Sequence, residues 1–253
     1  MEAVSVYKTK YTIELRDVDF TEKLKLSTLF GYFQDIASAH VDNLGIGINT
    51  LMQEFGMSWI LMRIKVKIIR NPVRNEEITV ETWPQKPKKL EFERDFIVKD
   101  NNENIIVRAV STWVICDIKT RVLRKSEVIA IQYPPMVEER AIDCKLGKLK
   151  AFGQLETVYK KVIGYSDVDF NGHLNNSKYI DFIMDCFTVE NHLKYSVKVI
   201  EVNYTNEALP GDTIIFYKDV SALNSNLIYI EGINEKDNKI VFKSQVEIGA
   251  RGS

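Results

Sequence analysis

The tetrapeptide Asp17-Val18-Asp19-Phe20 returns 150 positions later as Asp167-Val168-Asp169-Phe170, and its surroundings return with it. After each copy comes a short polar loop, then a helical stretch of about four turns with apolar residues at three- and four-residue spacing. The first stripe is Leu26, Leu29, Phe30, Phe33, Ile36 and Ala37; the second is Tyr179, Phe182, Ile183, Cys186 and Phe187. Stripes of this kind bury one helix face against a sheet. Strand-like runs broken by turns follow, now displaced by about 135 positions because the first copy has extra residues around Gly45 to Gly56. Trp59 to Arg70 answers Val197 to Asn206 as a long strand. The runs Leu90 to Val98 and Ile105 to Ile115, joined across Asp100-Asn101-Asn102-Glu103-Asn104, answer Leu227 to Ile233 and Ile240 to Ile248, joined across Lys236-Asp237-Asn238-Lys239. The order is strand, helix, then antiparallel strands, twice: a duplicated α+β unit.

A chain of 253 residues holds two such units, each with its own core. The segment Glu138 to Tyr159 is rich in Lys and Gly and lacks periodicity. The sequence therefore predicts an N-terminal domain over 1–140, a linker over 141–157 and a C-terminal domain over 158–253. Composition is needed only for what it removes. With 45% hydrophobic and 27% charged residues the balance is globular, and no apolar run approaches the roughly 20 residues of a membrane span, so membrane insertion is not expected. The opening MEAVSVYKTKYTIEL has no apolar core of a signal peptide, which points to the cytoplasm. Cys116, Cys144 and Cys186 are odd in number and lack CxxC or CxxH spacing, so reduced thiols are expected and neither a disulfide framework nor a zinc site is suggested. A net charge of −1 gives no broad basic field for nucleic acid.

The chemistry concentrates in the second loop. Asp169, Asn171 and His173 alternate along a short stretch, so their side chains can converge on one side. Asn175 and Asn176 are good N-cap types, so the loop ends at a helix N-terminus, where unpaired N–H groups and the helix dipole can hold a developing oxyanion. Hydrolysis of an activated acyl group needs this combination, a group that activates water together with donors for the carbonyl oxygen.

The run from Asp167 to Tyr179 resembles the D-x-D-x-N-x-H-x-N-N-x-x-Y signature of the plant and bacterial acyl-ACP thioesterases. Asn203-Tyr204-Thr205-Asn206-Glu207 falls where that family carries a second motif ending in a functional glutamate. The resemblance in domain order covers nearly the whole chain. It implies two hotdog domains in tandem, each a long helix wrapped by a curled antiparallel sheet, and hydrolysis of fatty acyl-ACP with acyl carrier protein as partner. It implies no metal or organic cofactor. In that family's terms Asn171 and His173 orient and polarise the substrate, Asp169 holds the pair, and Glu207 activates water or attacks the carbonyl. Family members often place cysteine after this glutamate. Here the position is Ala208, which excludes a thiol mechanism from it.

The first copy is an internal control. It reads Thr21-Glu22-Lys23-Leu24 where the second reads Asn171-Gly172-His173-Leu174, and the displacement of 135 sets Pro72 against Glu207. The first domain keeps the architecture without the catalytic set, so its expected part is packing and an acyl-binding wall. Phe30, Phe33, Met57 and Trp59 are the wall candidates, although for any one of them plain core is the readier reading. Asp169 is less specific than its neighbours, because Asp19 occupies the matching place. His40 and His192 read as core or surface residues. Lys145, Lys148, Lys150, Lys160 and Lys161 suit either an acidic carrier protein or a solvated surface. Single-hotdog acyl-CoA thioesterases share a similar loop, and a non-catalytic acyl-thioester sensor is the rival of another class. Oligomeric state stays open: tandem copies can pair within one chain, and a homodimer of such chains is also permitted.

Overall fold

The computed structural model describes residues 2–129, 133–219, 221 and 226–251. It divides into two compact units, one of Met1–Leu24 with Gly31–Leu146, the other of Lys25–Phe30 with Gly147–Ser253. Each unit has the hotdog plan, so the fold is the expected α+β tandem hotdog.

In the first unit β1 (Tyr7–Thr12), β2 (Met57–Ile68), β3 (Glu77–Pro84), β4 (Phe92–Lys99) and β5 (Ile105–Asp117) form an antiparallel sheet in the order β1-β3-β4-β5-β2. A two-residue strand, β6 (Leu123–Arg124), pairs with β5. The helix α1 (Leu26–Asn43) carries the predicted stripe. Phe33, Ile36 and Ala37 are buried, and the Phe33 ring lies 4.9 Å from that of Phe96 on β4. The extra residues around Gly45 to Gly56 form a short helix, α2 (Ile48–Phe55), closed by Gly56 at φ 65°.

In the second unit β7 (Glu156–Val162), β8 (Tyr195–Tyr204), β9 (Thr213–Asp219), β10 (Leu227–Asn234) and β11 (Ile240–Ala250) repeat the plan as β7-β9-β10-β11-β8. The two hairpin turns expected from sequence each use a left-handed residue, Glu103 in one and Asn238 in the other. The helix departs from expectation. Instead of about four turns, α3 (Asn176–Met184) has nine residues, because Thr188 caps a separate helix, α4 (Val189–Lys194), through a capping box with Asn191. Cys186 and Phe187 thus lie beyond α3, although Cys186 stays buried. Tyr179 and Phe182 pack against Phe242 and Phe216, at 5.5 and 6.0 Å between ring centroids.

The connecting segment is held on both sides. Asp95, with no exposed surface, accepts from the Ala141 N–H and from the Arg140 guanidinium. In the second unit Asn203 accepts from the Leu149 N–H, and Asp219 accepts from the N–H groups of Phe152 and Gly153. His40 is a core residue, between the Val4 carbonyl and Arg94, and its burial pushes its pKa down to about 4. Among the described residues no disulfide joins Cys116, Cys144 and Cys186. Among the described residues no helix is long and apolar enough to cross a membrane.

Candidate active site

One aspartate organises the second loop. A single 3₁₀ turn at Tyr165–Asp167 leads into a bridge between Val168 and Leu174. Inside it the Asp169 N–H donates to the His173 carbonyl at 2.8 Å, while Asp169 Oδ1 accepts from the N–H groups of Asn171 (2.8 Å) and His173 (3.3 Å). The reversal requires Gly172 at φ 79°, a conformation in which a side chain is strained. Asp169 Oδ1 is thus committed to backbone N–H groups, the task of a polar loop brace.

Two segments meet at the end of this loop. The Leu174 N–H donates to the Ala208 carbonyl at 2.9 Å, tying the loop to the chain leaving β8. Thr205 Oγ1 and Asn206 Nδ2 both donate to the Ile240 carbonyl, which fixes the stretch just before Glu207. The result is a His173 Nε2 to Glu207 Oε2 distance of 3.5 Å, with the side chains 30% and 40% exposed. So exposed a pair contributes at most about 1 kcal/mol to stability, too little for the fold to depend on it. Its exposure suits a reacting group.

Asn175 is the N-cap of α3: its Oδ1 accepts from the Ser177 N–H and hydroxyl. The expected set of unpaired N–H groups is smaller than the sequence suggests. The cap takes Ser177, and the Lys178 N–H donates to the Asn175 carbonyl. Of the first three helical N–H groups, that of Asn176 has no acceptor among the described residues. The Asn176 carbonyl accepts from the Tyr204 hydroxyl at 3.1 Å. Asn171 is exposed, and among the described residues no hydrogen bond joins its amide to His173 or Glu207. The structure thus brings His173 and Glu207 together and joins the Asn171 amide to neither among the described residues.

The first unit repeats the loop down to single bonds. Asp19 Oδ1 accepts from Thr21, the Asp19 N–H donates to Lys23, and Glu22 takes the left-handed turn at φ 58°. One correspondence needs correcting. The N–H groups of Ile69 and Arg70 both donate to Ile106 as those of Thr205 and Asn206 donate to Val241, and Leu24 donates to Pro72 as Leu174 does to Ala208. Pro72 therefore matches Ala208, and the counterpart of Glu207 is Asn71. Lys23 and Asn71 stand where His173 and Glu207 stand.

The wall candidates are packed. Phe30 and Phe33 are 1% exposed. Met57 joins Ile46, Leu51, Phe92 and Ile115 in one cluster with Trp59 at its edge, and the Trp59 indole donates to the Ile46 carbonyl. Among the described residues no group of three or more His, Cys, Asp and Glu side chains could hold a metal ion. The residues the sequence left without a task are Thr205 and Asn206, which fix the stretch before Glu207.

The acyl-ACP thioesterase N-terminal domain matches residues 4–131, and the C-terminal domain of the same enzymes matches residues 155–250. The chain belongs to the acyl-ACP thioesterase family. An oleoyl-acyl carrier protein thioesterase of Arabidopsis thaliana, described as chloroplastic, is 26% identical over 85% of this chain and 63% of its own length. The chain thus spans somewhat less than two thirds of that curated relative. An acyl-ACP thioesterase of Bacteroides thetaiotaomicron superimposes with a TM-score of 0.87 at 27% identity, covering 97% of this chain and 98% of the other. A 12:0-ACP thioesterase from Umbellularia californica, 19% identical, shares the fold at a TM-score of 0.83, over 98% of each chain. Both solved relatives match this member of the family across both domains.

Proposed function

We propose that this chain hydrolyses the thioester of fatty acyl-ACP, releasing free fatty acid and the holo carrier protein. The observation that carries the reading is the His173–Glu207 contact, on an exposed loop at the start of α3 and in one copy of a scaffold that occurs twice. Family membership and the names of the relatives supply the substrate class.

In this reading the thioester carbonyl lies over the loop. Asn171 and the Asn176 N–H donate to its oxygen as negative charge develops. His173 donates to one oxygen of Glu207 and orients the carboxylate. Glu207 accepts a proton from water as the water oxygen bonds to the carbonyl carbon. The tetrahedral adduct then collapses, the C–S bond breaks, and the proton passes to the departing carrier thiolate. Asp169 acts indirectly, by fixing the backbone of Asn171 and His173. Water is the only co-reactant required.

The domains divide the work in the same reading: residues 1–140 pack the acyl chain, with Met57 and Trp59 nearest its path and Phe30 and Phe33 in the core behind, 141–157 connect, and 158–253 carry the chemistry. The apolar cluster around Met57 supports the first assignment, and Lys23 with Asn71 supports the absence of chemistry there. We take the compartment to be the cytoplasm, in keeping with three cysteines that no disulfide joins among the described residues.

The test is thiol release from acyl-ACP and acyl-CoA of matched chain lengths, with His173→Ala and Glu207→Gln as controls. Release from acyl-ACP that both substitutions abolish is expected. Preference for the CoA thioester would move the substrate class, and no release at any chain length from either carrier would leave a lipid-binding protein.

A further inference from the structure

We propose that Tyr204 is a positioning residue that sets the place of Glu207 relative to the oxyanion donor Asn176, a role that rests on the thioesterase reading above. Tyr204 ends β8, three residues before Glu207, and its hydroxyl donates to the Asn176 carbonyl at 3.1 Å. The direction of this bond is unambiguous, because a phenol has a proton to give and a carbonyl only accepts. The ring is 8% exposed and meets Tyr179 of α3 edge-on, at 5.4 Å between centroids. One side chain on the strand that leads to the base thus holds the first residue of the helix, whose N–H is the donor to the carbonyl oxygen in that reading.

The tie transmits position because the two residues between Tyr204 and Glu207 are fastened as well. The N–H groups of Thr205 and Asn206 both donate to the Val241 carbonyl, and Thr205 Oγ1 and Asn206 Nδ2 donate to the Ile240 carbonyl, at 2.6 and 2.7 Å. After Glu207, the Ala208 carbonyl accepts from the Leu174 N–H at 2.9 Å. The backbone of Glu207 therefore has fixed neighbours on both sides. A base and an oxyanion donor act on the two ends of one carbonyl group, so their separation has to be held to within about 0.5 Å.

The duplication supplies the control. In the first unit the residues matching Tyr204, Thr205 and Asn206 are Ile68, Ile69 and Arg70, because Ile69 and Arg70 donate to the Ile106 carbonyl as Thr205 and Asn206 donate to that of Val241. The backbone bonds are the same in both copies. The side-chain bonds are not: Ile68 and Ile69 have nothing to donate, and the Arg70 guanidinium pairs with Glu76 and Asp100. The scaffold therefore closes without a side-chain tie from this strand end to the helix start, and the tie occurs in the copy that carries His173 and Glu207.

The experiment measures thiol release from acyl-ACP by wild type, Tyr204→Phe, Thr205→Val, Thr205→Ser and Glu207→Gln, and by Tyr204→Phe combined with Glu207→Gln, with kcat and KM separated and Tm recorded. Tyr204→Phe keeps the ring and should lower kcat about fivefold, the effect of one neutral hydrogen bond, with KM within about twofold. Thr205→Val should lose about the same factor, and Thr205→Ser, which keeps the hydroxyl, should regain most of it. On the residual rate of Glu207→Gln, Tyr204→Phe should cost less than about twofold, because residues that act through one group are not additive. An unchanged kcat in Tyr204→Phe, with Glu207→Gln strongly impaired, would overturn the role of Tyr204 and leave the thioesterase reading standing. A loss that persists in full in the Glu207→Gln background, or that tracks a fall in Tm, would also overturn it, by showing packing alone. A fully active Glu207→Gln would remove the reading beneath both.

Discussion

Between Asp17 and Leu24, and again between Asp167 and Leu174, an aspartate folds the chain onto itself through the same backbone bonds and closes a bridge before a helix. The first loop presents Lys23 with Asn71 nearby in the chain's plan, and the second presents His173 and Glu207 at 3.5 Å. Geometry common to both cannot be what makes one of them reactive. The comparison therefore separates what the two loops share from what one of them has alone: Asp19 and Asp169 brace backbone in both, and the proposed chemistry rests on His173 and Glu207.

The strongest way to break this separation is Glu207→Gln, which should cost kcat about 10²- to 10⁴-fold by steady-state thiol release, while Asn71→Asp leaves the rate alone. Equal effects would mean that the copies are not functionally distinct. His173→Ala should lose about 10²-fold, as a partner that orients the base, and Lys23→Ala should lose nothing. Asp169→Asn keeps an acceptor at Oδ1 and should retain most of the activity. Inactivity in that variant, with Tm preserved, would give Asp169 a direct chemical role. Asp169→Ala and Asp19→Ala should each cost roughly 0.5–1.5 kcal/mol in urea unfolding, because each removes the acceptor of exposed or half-buried backbone donors in an equivalent place. The smallest difference lies at the turn: Gly172→Ala should destabilise by about 1 kcal/mol, and Glu22→Gly should stabilise by a similar or smaller amount.

The fold was legible because the duplication doubles every signal. Two apolar stripes, two hairpins and two long strands in one order leave few architectures, and the strands lie within a few residues of where the alternating patterns put them. The length of α3 was not legible, because the apolar spacing runs on through Cys186 and Phe187 while Thr188 starts a new helix. At the site, residue types named His173 and Glu207, but a displacement counted along the chain put Pro72 against Glu207. Only the hydrogen-bond register, with Leu24 on Pro72 and Leu174 on Ala208, shows the true offset of one residue. Packing is hidden from sequence in the same way. Phe33 and Met57 carry the composition of a wall, and their burial against Phe96 and Ile46 depends on partners far away in the chain.

The connection between the halves carries a practical meaning for anyone who edits this protein. Ala141 is fastened by a fully buried carboxylate and Leu149 by a buried amide, so a graft that replaced this stretch by a flexible tether would strip anchors from both halves. The room for insertion or a protease site lies between those fastenings at the exposed Gly147 and Lys148, because Ile142, Cys144 and Leu146 pack against the cluster around Trp83. A cut there should nick the chain and leave each half with its own anchor.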